Sequence, residues 1–459
     1  MNLRLTVPTA ALAVCLFAGC NTGTRDTRGK VVYGPGSTGA PGAPTTLGVG
    51  GSGIGSFAAV GDLNDPRGQH VATLLQDGRV LVTGGTDGQG ILPGSEVYDP
   101  STDAWERVED LAPTQQDGFM LDQNGDPTAR RHHSAVTLRD GRVLVAGGNG
   151  IERQQGGQPV LEALLTCYLF NPTTNSFTAT DSLKTARFLH QAARLQSGDA
   201  LVLGGVSHPD PNRFPVKTGE RFDAVNETWA EFPLNVARSD GVAVELETAD
   251  DVLFYGGGEV IDIQQPQARL LALMDATAQE PVLYNDPTAQ LQAAPPSTYA
   301  GKPRVDVAGA GMSNGDALFA GGRSVLAPPQ PQVMDDSRLY ALQYLTQNVD
   351  VQDTTERYDS RTKTFVPGPQ LTLPRWGARC AEIGTTSDVL IVGGVDATNA
   401  PLVTCEVYGV LSDSILGTVD MSTARQQFTA TSLNDGRVLV AGGLDANLMG
   451  LGSCEVHVR

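Results

Sequence analysis

Residues 79–85 read RVLVTGG, residues 142–148 RVLVAGG and residues 437–443 RVLVAGG. The same short apolar run closed by two glycines returns as ALVLGG at 200–205, VLFYGG at 252–257, ALFAGG at 317–322 and VLIVGG at 389–394. Each run is the length of a strand, and glycine lets the backbone leave it at angles other residues resist. A unit that recurs through a chain folds as stacked copies rather than around one core.

The register extends outward from each pair. An arginine stands 17 or 18 residues before the first glycine, at Arg67, Arg130, Arg187, Arg238, Arg304, Arg375 and Arg425. Downstream comes an aromatic residue, with a second large apolar residue seven positions later, as in Tyr98/Trp105, Phe170/Phe177, Phe222/Trp229 and Tyr358/Phe365. Turn formers such as DPSTDA and NPTTNS separate the two. Each unit therefore reads as four antiparallel strands, A to D from the arginine onward.

Arginine, glycine pair and spaced aromatics resemble the kelch repeat over about residues 55–459. The resemblance implies an all-β, seven-bladed β-propeller of four-stranded antiparallel blades. Leu291 and Ile415 replace expected aromatics, and His457 stands where a Tyr is usual. The last unit ends at Arg459 without a fourth strand, while Phe57 lies ten residues before Arg67, the interval that separates Phe177 from Arg187. The segment around Phe57 is thus the missing strand, and it is expected to complete the seventh blade.

Residues 1–19 read as an export signal, with one basic residue (Arg4) and an apolar run from Leu5 to Phe17 too short to span a bilayer. Phe17-Ala18-Gly19-Cys20 resembles a bacterial lipobox, which implies acylation of Cys20; the alternative is an ordinary secretory signal cut near Ala18. Asn21 after the cysteine implies an outer-membrane or cell-surface lipoprotein. Residues 20–54, rich in Gly, Pro, Ser and Thr, read as a tether. A net charge of −19 without a basic run excludes nucleic acid as an expected partner, and the membrane is expected to be met only through the lipid.

Cys167, Cys405 and Cys454 share one slot on strand C, three residues before the aromatic. Equivalent slots on packed sheets lie about 10 Å apart, beyond the roughly 7 Å that a bridge allows. With Cys380 they are expected to remain thiols. His70, His133 and His190 share a register 14 residues before the glycine pair. Three histidines can form a zinc site, but side chains at identical repeat positions point in parallel, which favours a copied structural feature.

The stretch RRHHSAVTLRDGRV (130–143) resembles the part of galactose-oxidase-like propellers that supplies a Tyr-His copper pair, with His132 at the Tyr position. That family also needs a Cys-Tyr crosslink and a further His, which have no counterpart here, so no cofactor is expected. Asp122, Asn124 and Asp126 alternate like calcium ligands but lack the downstream Glu. Glu96, Glu220, Glu356, Glu406 and Glu455 recur on strand C and read as structural acceptors rather than catalytic acids.

Length variation locates the working face. From first glycine to strand C aromatic, the B–C connection runs from 14 to 37 residues, whereas the A–B and C–D turns barely change. Variable loops on a rigid scaffold are where binding resides. The B–C/D–A face also carries the seven arginines, which either bind a carboxylate or tie blades together. Further candidate anchors are Phe119 in a D–A insert, and Tyr340 and Tyr344 in a segment with helical leucine spacing. The expectation is a monomeric module binding a protein or glycan at this face. The alternatives are a carbohydrate-active enzyme (sugar isomerase or oxidase type) at the propeller mouth, or a structural envelope component.

Overall fold

The computed structural model describes residues 53–122, 125–155, 158–207, 214–234, 237–246, 251–257, 281–286, 289–298, 304–325 and 349–459. One compact unit spans Gly51–Arg459. It holds seven four-stranded antiparallel sheets. Blade 1 is built from Val71–Leu74, Val80–Thr83, Ser95–Asp99 and Ala104–Arg107, and the others repeat it. Each inner strand packs beside the next, and the seventh, Thr429–Ser432, returns to the first, Val71–Leu74.

The seventh blade closes as expected. Ser56–Ala59 pairs with the final strand Cys454–Val458, with Phe57 opposite His457. Their rings meet edge-on at 5.3 Å, so His457 fills the aromatic place. Its Nε2 lies 2.9 Å from the Ile54 carbonyl, and Arg459 ion-pairs with Asp388 of blade 6. Elsewhere the spaced aromatics face each other directly across strands C and D, with centroids near 5 Å in Tyr98–Trp105, Phe170–Phe177, Phe222–Trp229 and Tyr358–Phe365. Such pairs add about 0.5–1.5 kcal/mol beyond burial.

The glycine pair is the joint between blades. In blade 1 both residues have positive φ, and a Cβ on Gly84 would lie 2.2 Å from the carbonyl oxygen of Arg130 in blade 2. The Gly85 N–H donates to that same oxygen at 2.8 Å. The arrangement recurs at Gly148–Arg187, Gly205–Arg238, Gly257–Arg304, Gly322–Arg375 and Gly443–Arg67. Any side chain here would push two blades apart.

Three B–C connections extend into two-stranded ribbons: Asn149–Gln155 with Gln158–Ala163, Val206–Ser207 with Phe214–Pro215, and Arg323–Val325 with Val349–Val351. All four cysteines among the described residues are free thiols. Burial pushes the Cys167, Cys380 and Cys405 thiols up to about 12, and the Sγ of Cys167 faces the Leu165 carbonyl at 3.5 Å.

Candidate functional site: the axial mouth on the loop-rich face

The seven repeat arginines do not form a ligand-facing ring. Arg67, Arg130, Arg187, Arg375 and Arg425 are fully enclosed, and Arg238 and Arg304 are nearly so. Nη1 of Arg67 donates to the carbonyl of Gly84 at 2.9 Å, and Arg130, Arg187, Arg304, Arg375 and Arg425 make the same bond in their own blades. In four blades the guanidinium also ion-pairs with the strand C glutamate: Arg67–Glu96 at 2.9 Å, Arg187–Glu220 at 2.7 Å, Arg375–Glu406 at 2.7 Å and Arg425–Glu455 at 2.9 Å. Each carboxylate in turn accepts a backbone N–H from the incoming D–A loop, as from Asn64 and Asp65 on Glu96. Arginine, glycine pair and glutamate thus lock strands, loop and neighbouring blade together.

Three blades vary the motif. In blade 2 Tyr168 occupies the glutamate slot, and the Arg130 guanidinium lies 4.9 Å over its ring. Blade 4 has Val282 there, and burial brings Arg238 down to about 10. In blade 5 Glu356 accepts instead from Tyr255 Oη at 2.7 Å and from Ser297 and Thr298, while Arg304 donates to Thr354 Oγ1 at 2.6 Å.

The three register histidines likewise point away from one another. His70 Nε2 lies 3.0 Å from Thr429 Oγ1, His133 Nε2 2.7 Å from Thr83 Oγ1, and His190 Nε2 2.8 Å from Ser134 Oγ. Each reaches the preceding blade. Burial, reinforced by the nearby repeat arginines, lowers His70 and His190 to about 3 and His133 well below its usual value, so all three are neutral. Among the described residues no three His, Cys, Asp or Glu side chains gather as a metal site requires.

The remaining candidates fall in three places. Phe119 is half-buried and its neighbour Met120 wholly buried between blades 1 and 2; Tyr168 Oη donates to the Leu121 carbonyl at 2.8 Å. That insert folds back as a structural plug. Asp122 Oδ1 accepts the Asp126 N–H at 2.9 Å, which makes a hydrogen-bonded turn, and Asn124 lies outside the described residues. Cys20, Tyr340 and Tyr344 also lie outside them.

A different ring surrounds the axis on the loop-rich face. The residue two after each repeat arginine, Gln69, His132, Leu189, Asp240, Asp306, Gly377 or Gln427, has φ between +51° and +62°. Six of their backbones are chained around the mouth: the N–H of Gln69, His132, Leu189, Asp240, Asp306 and Gly377 each donates to the carbonyl of the residue at the same position in the preceding blade, from Gln69 to Gln427 at 2.9 Å through Gly377 to Asp306 at 2.9 Å. The left-handed backbone aims each N–H along the ring and leaves the side chains around the opening. All seven are half-buried.

The charges at this mouth are few and unevenly satisfied. Asp306 accepts from Arg323 Nε at 2.7 Å, and the Arg323 guanidinium lies 4.3 Å over the Trp376 ring. Burial and the neighbouring Asp306 raise the Asp240 carboxyl to about 7, with Ser239 and Arg323 opposing. Burial and the cations Arg131 and Arg379 hold His132 near 3. Arg379, the first residue of inner strand Arg379–Ile383, is exposed to water, yet its surroundings lower its pKa by desolvation. It acts electrostatically on His70 and His132 in blades 1 and 2 and feels Asp306 in blade 5, so its guanidinium lies within electrostatic reach of three other blades.

The opposite face differs. There Arg79, Arg142 and Arg437 each hold an aspartate two residues earlier and reach the C–D turn of the next blade, at Pro172, Glu227 and Pro100 with Asp103. A cavity of about 750 Å3 opens on this face, lined by Arg139, Arg194, Gly198, Arg221 and Asp286 among others. Its size does not make it the better site. Arg221 is neutralised by Asp199 at 2.8 Å and Asp286 at 3.1 Å, and Arg194 lies 3.8 Å from Glu245.

The kelch motif matches residues 67–112, which covers blade 1 from its arginine through strand D. Among solved structures, YjhT superposes with a TM-score of 0.51 at 15% identity, covering 78% of this chain and 98% of YjhT. A fungal alcohol oxidase of the AA5 family, in complex with copper, superposes with a TM-score of 0.59 at 13% identity, covering 88% of this chain and 76% of the oxidase. These likenesses concern the fold. No curated protein matches the sequence. Copper does not fit the residues here: His133 is committed to Thr83, and His132 is a link in the backbone ring.

Proposed function

We propose that this kelch-repeat β-propeller of the galactose-oxidase-like type is an exported, lipid-anchored binding module that takes a protein or glycan ligand through its loop-rich face. The observation that carries the reading is the contrast between the two ends of the axis. The turn face is clamped blade to blade by arginines, whereas the mouth on the loop-rich face presents Arg379, Asp240 and Trp376 to solvent or to half-open space. Three B–C ribbons begin beside that mouth, where Asn149, Val206 and Arg323 bridge Arg131, Phe188 and Val305, each the residue after a repeat arginine. Binding energy at such a site concentrates in a few anchors.

A carbohydrate-active enzyme is the second reading, and one observation favours it. Asp240, held near 7 beside Asp306, is a carboxylic acid poised to exchange a proton at neutral pH. A glycan array probed with the full chain, alongside a metal assay and a turnover assay on each bound sugar, separates the two. Retained, unaltered sugar supports the module. Turnover abolished by Asp240→Asn supports the enzyme. Anchoring is tested independently: Cys20→Ser moves an acylated protein from the detergent phase to the soluble fraction, and unchanged partitioning removes the lipid from the account.

A further inference from the structure

We propose that Arg379 is the anchor for a carboxylate group on the ligand entering at the loop-rich mouth, an inference that rests on the assignment of binding to that face. The position is singular in its register. The residue paired with the last position before each glycine pair is Val71, Ser134, Gln191, Val242, Ala308 or Thr429 in the other six blades, all uncharged, and Arg379 in blade 6. In blades 2 and 7 this side chain is the hydroxyl that receives the next blade's histidine. After Arg379 the next blade offers Phe428, a wholly buried ring that gives a guanidinium nothing to donate to.

Among the described residues no carboxylate contacts the charge, and Asp306 reaches it only through space. Among the described residues Arg379 makes one hydrogen bond, from Nη1 to the Ala378 carbonyl at 3.1 Å, and no ion pair. A guanidinium has five N–H donors in a planar fork, and a carboxylate accepts two of them side by side. The surrounding groups leave room for that exchange. Asp306 is taken by Arg323 at 2.7 Å, His70 and His132 are neutral, and Gln69 and Gln427 are bonded to each other at 2.5 Å. Asp240, its carboxyl raised by burial and by Asp306, is the one remaining acid in the ring of seven. Beside Arg379 the ring position is Gly377, and a Cβ built there would meet nothing within 4 Å. That opening gives a carboxylate room to approach the guanidinium. The chain as a whole carries −19, so this positive spot runs against the global charge and selects where an anion can settle.

The probe is benzoate, with benzamide as its neutral counterpart, titrated calorimetrically into the full chain. Benzoate is expected to saturate at one site with at least tenfold preference over benzamide, and Arg379→Gln is expected to erase that preference. Arg379→Lys keeps a point charge without the fork and is expected to retain part of it. Arg139→Gln, on the turn face, serves as the control and leaves it unchanged. Galacturonate and hippurate compete if the natural carboxylate sits on a sugar or on a peptide-like chain, and competition by either supports the assignment. Equal binding of benzoate and benzamide overturns it, as does an Arg379→Gln protein that binds like the wild type. Melting temperatures of the variants confirm that the ring is intact, since Arg379 supports no other side chain. A neutral array ligand lost in Trp376→Ala but retained in Arg379→Gln leaves the mouth as binding face and removes only the carboxylate.

Discussion

The two faces of the ring use arginine in opposite ways. On the turn face Arg437 holds Asp435 at 2.7 Å and reaches Asp103 of blade 1 at 2.8 Å, and Arg79 and Arg142 do the equivalent. On the loop-rich face Arg375 is sealed inside blade 6 against Glu406, and four residues later Arg379 has a single carbonyl partner. A cation's role therefore follows from what its register places around it, not from the face it belongs to. Blade-to-blade cohesion uses paired arginines on both faces; recognition is the role proposed for Arg379.

The largest effect expected concerns closure, because both faces depend on it. Deleting residues 53–59 removes the strand opposite Cys454–Val458 and exposes the edge of blade 7. The melting temperature should fall by on the order of 10 °C or more, whereas deleting residues 21–50 should leave it nearly unchanged. Equal melting temperatures would show that Ser56–Ala59 is not needed to close the ring.

Next comes Arg375→Ala. It leaves the Glu406 carboxylate buried without its cation, and breaking a buried pair costs about 3–5 kcal/mol. Urea denaturation reads this as a lower midpoint at constant slope. A loss below about 1 kcal/mol would mean that the repeat arginine is not a structural lock.

A smaller, pH-dependent effect comes from the inter-blade histidines. His70 and His190 ionise near 3 in the fold and near 6.5 when unfolded, so the unfolded state takes up protons first as pH falls. Stability is intact above about 6.5 and declines toward pH 3, by up to about 1.4 kcal/mol per pH unit for each histidine. Asp240, raised to about 7, opposes this: its folded form keeps a proton that the unfolded chain has released above about 3.9, so its term falls as pH rises toward 7. The three inter-blade histidines, joined by His132 which is also held near 3, outweigh one aspartate and give net acid sensitivity. His190→Gln should flatten the pH profile, and an unchanged profile would contradict the neutral assignment.

The smallest effect is expected on the exposed clamps. Arg437→Ala should cost about 1 kcal/mol or less, because its partners Asp103 and Asp435 stay in contact with water. A cost matching that of Arg375→Ala would erase the distinction between sealed and surface arginines.

Much of this architecture was legible in the residues. Seven glycine pairs, the aromatic spacing and Phe57 at its interval suffice for the blades and their closure, since hydrophobic period and turn chemistry act locally. The free thiols followed from register geometry. The fate of the repeat arginines was less legible, because spacing gives a residue's place along a strand and not the direction of its side chain. The partner was visible nonetheless: Glu96, Glu220, Glu406 and Glu455 recur in phase with those arginines.

Phe119 looked like a free anchor because nothing in its sequence showed that Met120 would plug the space between blades 1 and 2. Arg379 carries a sequence signal of its own, one charge in a register column otherwise uncharged. The backbone ring left no sequence trace at all, since Gln69, His132, Leu189, Asp240, Asp306, Gly377 and Gln427 share a conformation and no chemistry.

Hydrogen exchange with and without the strongest array ligand tests the division of labour between the faces most directly. Protection is predicted at backbone amides of residues 376–380, 239–242 and 305–308 around the mouth, with no change in the A–B turns at 76–79, 139–142 and 434–437. Protection confined to those turns, with an unaltered mouth, would contradict the account.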